Sequence, residues 1–513
     1  MINFTSVVRP WFARICRDYH GLCLSANVKE LQEKILKQHL HTARSTKVGE
    51  EHNFAGISDY EDFRRNVPVV EYPDIRVDVE RMLQGERDIL WPGVCKRFAQ
   101  SSGTSDGKSK YIPVTETSLR QNHYAGATRS VAFYLDLYQN SRLFGGKSLI
   151  LGGSFANEAR QKAKGVKVGD LSAHLIDHIN SAVNLVRVPS KNIALMEDWT
   201  EKLPRLIDAS INEDITNISG VPSWFLTVLK GVIELAGASS IHDVWPNLEV
   251  FFHGGISFEP YREQYNHITD TSRMRYLENY NASEGFFAAA DSKEARGMRL
   301  LTDIGVFYEF VPLDQAGEAF PDSLGAWEVE EGRTYSLIIT ACNGLWRYAI
   351  GDTVRIESVE PLRISVAGRT KSFINAFGEE LMVHNAEAAI AEASKMTGAK
   401  VADYTAGPVY ASDSRKGCHR WLVEWNTPPS NLKDFALALD KSLRNHNSDY
   451  DAKRRGDIFL SEPEIVEVPK GTFNRWLASS GKLGGQRKIP RLSNTPDIIR
   501  SVEQMGNLIK QEQ

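Results

Sequence analysis

The sequence predicts an α/β fold: a large N-terminal region built on more than one sheet, followed by a smaller α+β domain. From about residue 90, short apolar runs ending in or near Gly or Pro alternate with longer amphipathic stretches. Such alternation marks a sheet covered by helices. The 513 residues are 42% hydrophobic, enough to bury more than one core. Near residue 368 the character changes, and GRTKSFINAFGEEL leads into an alanine-rich helix. The domains are drawn at 1–369 and 370–513.

Residues 1 to about 90 read as mostly helical, with KELQEKILKQ as a solvated helix face. KSLILGGSF (147–155), VNLVRVPS (183–190) and LEVFFHGG (248–255) predict buried strands leading into loops. SWFLTVLKGVIELAG (223–237) predicts a helix between them, and DTSRMRYLEN another just before Tyr280. YSLIIT (335–340) and LWRYAIGDTVRI (345–356) predict two more strands, the second antiparallel. In the smaller domain Ala386, Ala389, Ile390 and Ala393 share one helical face that could point inward. WLVEW (421–425) predicts a strand, LKDFALALDKSLRN (432–445) a helix, and the tail SVEQMGNLIKQEQ a surface helix.

The net charge of −4 supplies no global basic field, so nucleic acid is not expected as a partner. Cys16, Cys23, Cys95, Cys342 and Cys418 are odd in number, scattered and without CxxC, which fits a reducing, cytoplasmic setting rather than disulfides or structural zinc. The opening MINFTSVVRPWFARICRDYH is interrupted by three arginines and lacks a signal-peptide core. No apolar run approaches the roughly 18 residues of a membrane span, so no membrane partner is expected.

Five stretches carry chemistry. QSSGTSDGKSK (100–110) offers backbone amides, hydroxyls and two lysines to an anion, but Gly103 and Gly107 are separated by three residues where a P-loop has four. YNASEG (280–285) places Glu284 among small polar groups, where a carboxylate could hold Mg²⁺ between phosphates, and Tyr280 could stack on a base. WRYAIGDTV (346–354) reads either as a Gly-Asp turn or as Asp352 accepting from two ribose hydroxyls. GRTKS brings Arg369 to the apparent domain junction, within reach of a ribose or phosphate. GKLGGQRKIPRL (481–492) is a glycine-rich basic loop.

In this order the five resemble the core motifs of the adenylate-forming superfamily of acyl-CoA synthetases, peptide-synthetase adenylation domains and luciferases. Within it the chain is most similar to the auxin-responsive acyl-acid amido synthetases and their bacterial relatives, through GVPSWFLTVL, FFHGGISFEPYR and GTFNRWLASSGKLGGQRKIPRL. The resemblance implies a large N-terminal domain and a smaller, mobile C-terminal one. It implies that Ser101, Ser102, Gly103, Thr104 and Ser105 wrap the β- and γ-phosphates of ATP. Tyr280 would stack on adenine, Ser283 would meet the α-phosphate region and Glu284 would ligate Mg²⁺. Asp352 would hold the ribose with Arg369 nearby, and Lys488 would attend the α-phosphate from the small domain. Lys482, in Ser480-Gly481-Lys482, is the alternative lysine; Pro490 and Arg491 favour Lys488. Tyr124, Thr128, Val221, His253 and Gly254 are candidates for the acyl pocket, each also explicable as packing.

The implied reaction is carboxylate activation to an acyl-adenylate, then transfer to an amine such as an amino acid, by a monomer using ATP and Mg²⁺. The rivals are an acyl-CoA ligase sharing the first half-reaction, and a P-loop ATPase. The ATPase needs a strand running into the loop and a helix opening at Lys108-Ser109, and WPGVCKRFAQ reads as a poor strand.

Overall fold

The computed structural model describes residues 3–22, 25–101, 110–155, 163–197, 199–255, 258–369, 373–374, 381–409, 417–447, 450–451, 454, 460–479, 489–493 and 495–512. The chain divides into two compact units, one taking in Met1–Ile350 and Val354–Val366, the other Gly351–Thr353, Ala367–Leu483 and Arg487–Gln513.

The larger unit opens with helices Thr5–Leu22, Ser25–Ala43, Tyr60–Asn66 and Tyr72–Leu83. Lys29, Glu30, Lys34 and Lys37 of the second face solvent, while its opposite side buries Gln32. That amide donates to the carbonyls of Thr302 and Val306 and accepts from the Tyr308 amide, tying the helix to the sheet. The strands follow: β1 Arg97–Ser101, β2 Lys110–Pro113, β3 Lys147–Ile150, β4 Lys167–Gly169, β5 Arg187–Val188, β6 Ile215–Gly220, β7 Val250–Gly254, β8 Arg275–Asn281, β9 Phe286–Ala289, β10 Met298–Leu300, β11 Val306–Pro312, β12 Leu324–Gly325, β13 Thr334–Ala341, β14 Leu345–Val359 and β15 Leu362–Arg369. Among the described residues they form a three-stranded sheet, β2-β1-β4, and a twelve-stranded one, β12-β11-β13-β14-β15-β10-β9-β8-β7-β6-β3-β5.

Strands β5, β3, β6, β7 and β8 run parallel. A parallel strand is covered on both faces, which is why VFFHG is an unbroken run rather than an alternating one. On one face Leu149, Ile218 and Phe251 pack with Phe225, Leu229 and Val232 of helix Pro222–Ala236. On the other, Val250, Phe252 and Leu277 pack with Phe133, Tyr134 and Leu135 of helix Tyr124–Leu137.

Four sequence expectations are corrected. DTSRMRYLEN is a turn entering β8, not a helix, because pairing with β7 and β9 overrides its polar composition. VNLVRVPS starts in the short helix Ser181–Leu185, and only Arg187 and Val188 lie in a strand. Gly351-Asp352 is not a turn: β14 runs through it, Gly351 adopting φ +88° in mid-strand. The end of WPGVCKRFAQ is a genuine strand, β1, with Phe98 and Ala99 fully buried.

In the smaller unit β16 (Phe373–Ile374) pairs antiparallel with β17 (Leu381–Met382). Helix Val383–Thr397 follows, burying Ala386, Ala389, Ile390 and Ala393 as the spacing requires. With helix Leu432–His446 it builds a core around Trp421 and Val423. The sheet is β18 (Lys400–Val409), β19 (Cys418–Thr427) and β20 (Glu464–Val468), with β19 central. The tail helix Asp497–Glu512 is amphipathic, covering that sheet with Ile499 and Val502.

Candidate active site

Strand β1 ends at Ser101, whose Cα partner across the antiparallel pair is Lys110, the first residue of β2. The hydroxyl-rich stretch 102–109 thus connects two strands of a hairpin. A P-loop leads from a strand into a helix, so this topology removes that rival. Ser102, Gly103, Thr104 and Ser105 lie outside the described residues, and of Ser101 only the backbone is described. Lys110 turns inward: its ammonium lies 3.3 Å from the Tyr348 hydroxyl and over the rings of Tyr72 and Tyr348.

The second motif is a tight hairpin turn between β8 and β9. The Ala282 amide donates to the Gly285 carbonyl at 2.8 Å, and the Gly285 amide to Ala282 at 3.3 Å. Ser283 and Glu284 are its two central residues, 8% and 6% exposed. Tyr280 precedes the turn, its ring 5.0 Å from that of Phe287. Asn122 braces the turn from below. Its oxygen accepts from the Phe286 amide at 2.7 Å, and its nitrogen donates to the carbonyls of Phe286 and Ile304 at 2.9 and 3.1 Å. Asn343 donates to the Glu284 carbonyl at 3.2 Å. Helix Tyr124–Leu137 approaches so closely that a Cβ on Gly126 would fall 2.4 Å from the Phe286 ring. Asn122 was not a candidate from sequence, where nothing separates it from any other polar residue before a helix.

The carboxyl ends of the parallel strands, where open α/β sheets bind ligands, carry Gly220 opposite His253 and Gly254 opposite Asn279. A Cβ on Gly254 would meet the Asn279 carbonyl at 2.3 Å, so only glycine lets these strands close up. His253 is 4% exposed and stacks 4.5 Å from Phe258. Desolvation first, then Arg262, pull its pKa down to about 3. It is neutral near pH 7 and a poor general base. Val221, Tyr124 and Thr128 are half-buried. The Tyr124 hydroxyl donates to the Leu175 carbonyl at 2.9 Å, and Thr128 back to Tyr124 at 2.7 Å.

Within WRYAIGD the arginine is structural. Arg347 is fully buried at φ +40° and pairs with Glu309. Asp352, five residues on, is 5% exposed. Arg369 ends β15, its side chain outside the described residues. Lys482 and Lys488 also lie outside them. The residues after Lys488 are anchored: Arg491 pairs with Asp403, donates to the Tyr404 carbonyl and lies over the Tyr404 ring, while the Ser493 amide donates to the Ala406 carbonyl and the Ala406 amide to the Arg491 carbonyl. Arg491 therefore holds the segment in place. Among the described residues no group of three His, Cys, Asp or Glu side chains could cage a metal, and no helix is long and apolar enough to cross a membrane.

The GH3 family N-terminal domain matches residues 23–182 and 178–274, the central domain 299–369 and the C-terminal domain 384–497. Indole-3-acetic acid-amido synthetase GH3.4 of Arabidopsis thaliana is 23% identical, covering 94% of this chain and 92% of its own length. Jasmonoyl–L-amino acid synthetase GH3.5 of Oryza sativa subsp. japonica is 26% identical, covering 92% and 93%. Among solved structures, GH3.15 acyl acid amido synthetase in complex with 2,4-DB superposes with a TM-score of 0.77 at 18% identity, covering 96% of both chains. A 2-hydroxyisobutyryl-CoA ligase in the postadenylation state gives 0.54 at 13% identity, covering 98% of this chain and 92% of its own.

Proposed function

The chain belongs to the GH3 family, and we propose that it is an ATP-dependent acyl-acid amido synthetase that joins a small carboxylic acid to an amino acid or other amine. The observation that carries this reading is similarity along more than nine-tenths of the chain to synthetases that make acid–amino acid amides.

In this reading the substrate carboxylate attacks the α-phosphorus of ATP and pyrophosphate leaves. Charge grows on the α-phosphoryl oxygens and on the departing group, so positioned cations do most of the work. Lys488 is assigned to the first and residues 101–105 to the β- and γ-phosphates. Tyr280 takes the adenine, Ser283 the α-phosphate region, Asp352 the ribose hydroxyls with Arg369 beside it. Magnesium suits the donor set, because it keeps several waters and takes one or two protein carboxylates. Glu284, buried in a two-residue turn, is the carboxylate offered. When bound, the ion would supply positive charge at the phosphate oxygens. An amine then attacks the acyl carbonyl, loses a proton, and expels AMP to leave the amide. Val221, Gly254, Tyr124, Thr128 and His253 are assigned to the acyl pocket, with the imidazole as a neutral wall.

The buried cysteines Cys16, Cys95, Cys342 and Cys418 fit a cytoplasmic setting. The test is a chase of the preformed acyl-adenylate. Amino acids should release AMP with a new amide. AMP release with CoA and not with any amine would assign a ligase of the other kind.

A further inference from the structure

Four arginines among the described residues are buried: Arg187, Arg299, Arg347 and Arg454. Three face a carboxylate, respectively Asp291, Glu309 and Asp440. Arg187 does not. It is 5% exposed, its Nη2 donates to the Asn184 side chain at 3.0 Å, and its Nε and Nη1 have no acceptor. Burial alone lowers its pKa, with no neighbouring charge acting either way. A buried guanidinium without a counter-charge is costly, and buried charges are normally paired or used on a ligand.

Its place in the sheet says where such a ligand would lie. Arg187 is in register with Ser148, Ser148 with Asn217, and Asn217 with Val250, so all four project from one face. That face also packs against helix Tyr124–Leu137 through Val250 and Phe252. Ser148, Ile150 and Ser219, on the same face, are only half-buried. An incompletely covered strip therefore runs from Arg187 towards Gly220, at the carboxyl end of β6. From the level of Arg187 it runs three residues along β6, roughly 10 Å, and crosses the two strand spacings from β5 to β6, about 10 Å more.

We infer that Arg187 recognises a carboxylate of a substrate lying along this strip. The source is either a second carboxylate on the acyl acid or the α-carboxylate of the amino-acid acceptor. The identity of the substrate rests on the function proposed above; the anion site itself does not. The reacting carboxylate is not the ligand, since it must sit at the α-phosphorus. The planar fork of a guanidinium suits bidentate carboxylate binding.

The test is direct binding without ATP, so that it reads separately from adenylation. Two matched pairs serve as probes: adipate against hexanoate, and L-alanine against L-alaninamide. Each is titrated calorimetrically into the wild type, Arg187→Met and Arg187→Lys. The wild type should favour the carboxylate member of one pair, and which pair responds identifies the source. Arg187→Met should lose that preference by at least about tenfold, and Arg187→Lys should keep only part of it. Without ligand, Arg187→Met should melt at or above the wild type, because an unpaired buried charge has been removed. Equal discrimination by wild type and Arg187→Met, no discrimination by the wild type in either pair, or a methionine variant melting well below the wild type would each overturn the assignment.

Discussion

Arg347 grips Glu309 through Nε, 3.1 Å from each carboxylate oxygen, and through Nη2 at 2.9 Å, with neither side chain exposed. Nη1 donates to the carbonyls of Arg64 and Val67, and Nη2 also donates to the Ser323 hydroxyl. Tyr60 reaches Glu309 and Ser323 from the N-terminal helices. One side chain thus ties those helices to β11 and β14. Arg347→Ala would strand a buried carboxylate and should cost about 3–5 kcal/mol in urea unfolding. Pairing Arg347→Met with Glu309→Leu should cost less than either polar truncation alone. Unfolding midpoints within experimental error of the wild type would refute the role.

Asn122 sets the geometry of the turn that presents Ser283 and Glu284. Asn122→Ala leaves the Phe286 amide and two buried carbonyls without partners, an expected loss of about 2–3 kcal/mol. Pyrophosphate exchange should fall about tenfold or more even at temperatures where the variant is fully folded, because the turn is loosened. Exchange rates unaffected in a folded Asn122→Ala would detach the brace from the chemistry.

How much of this was legible in the sequence varies by feature. YNASEG shows a carboxylate among small polar groups; that Ser283 and Glu284 form a buried turn follows only from the pairing of β8 with β9. Its approach strand was unreadable, because Arg275, Glu278 and Asn279 gain strand geometry only by lying between β7 and β9. The inward face of helix Val383–Thr397 was plain, since Ala386, Ala389, Ile390 and Ala393 follow a local period. The partner of Arg347 lies 38 residues away on another strand, and no local pattern points to it. Nothing in VNLVRVPS singles out Arg187; only the absence of a carboxylate around it among the described residues gives it meaning.

Acid should destabilise the protein early. Burial holds His39, His123 and His174 down to a pKa of about 4, and His253 to about 3. Unfolded, each titrates near 6.5. The stability from keeping them neutral is present above about pH 6.5 and drains away as pH falls towards 4, because only the unfolded chain takes up protons there. Each histidine adds up to about 1.4 kcal/mol per pH unit to the slope. Urea midpoints between pH 7.5 and 5 should drop steeply, and less steeply in His123→Phe. A flat profile over that range would argue against buried neutral imidazoles.

We propose that adenylation occurs at the α-phosphorus and is attended by Lys488 of the smaller unit. Carboxylate-dependent exchange of labelled pyrophosphate into ATP tests it most directly, run on the wild type, Lys488→Ala and Lys482→Ala across a panel of acids. Exchange should depend on the acid, fall about a hundredfold or more in Lys488→Ala, and persist in Lys482→Ala. Release of inorganic phosphate from ATP without any exchange would contradict the account.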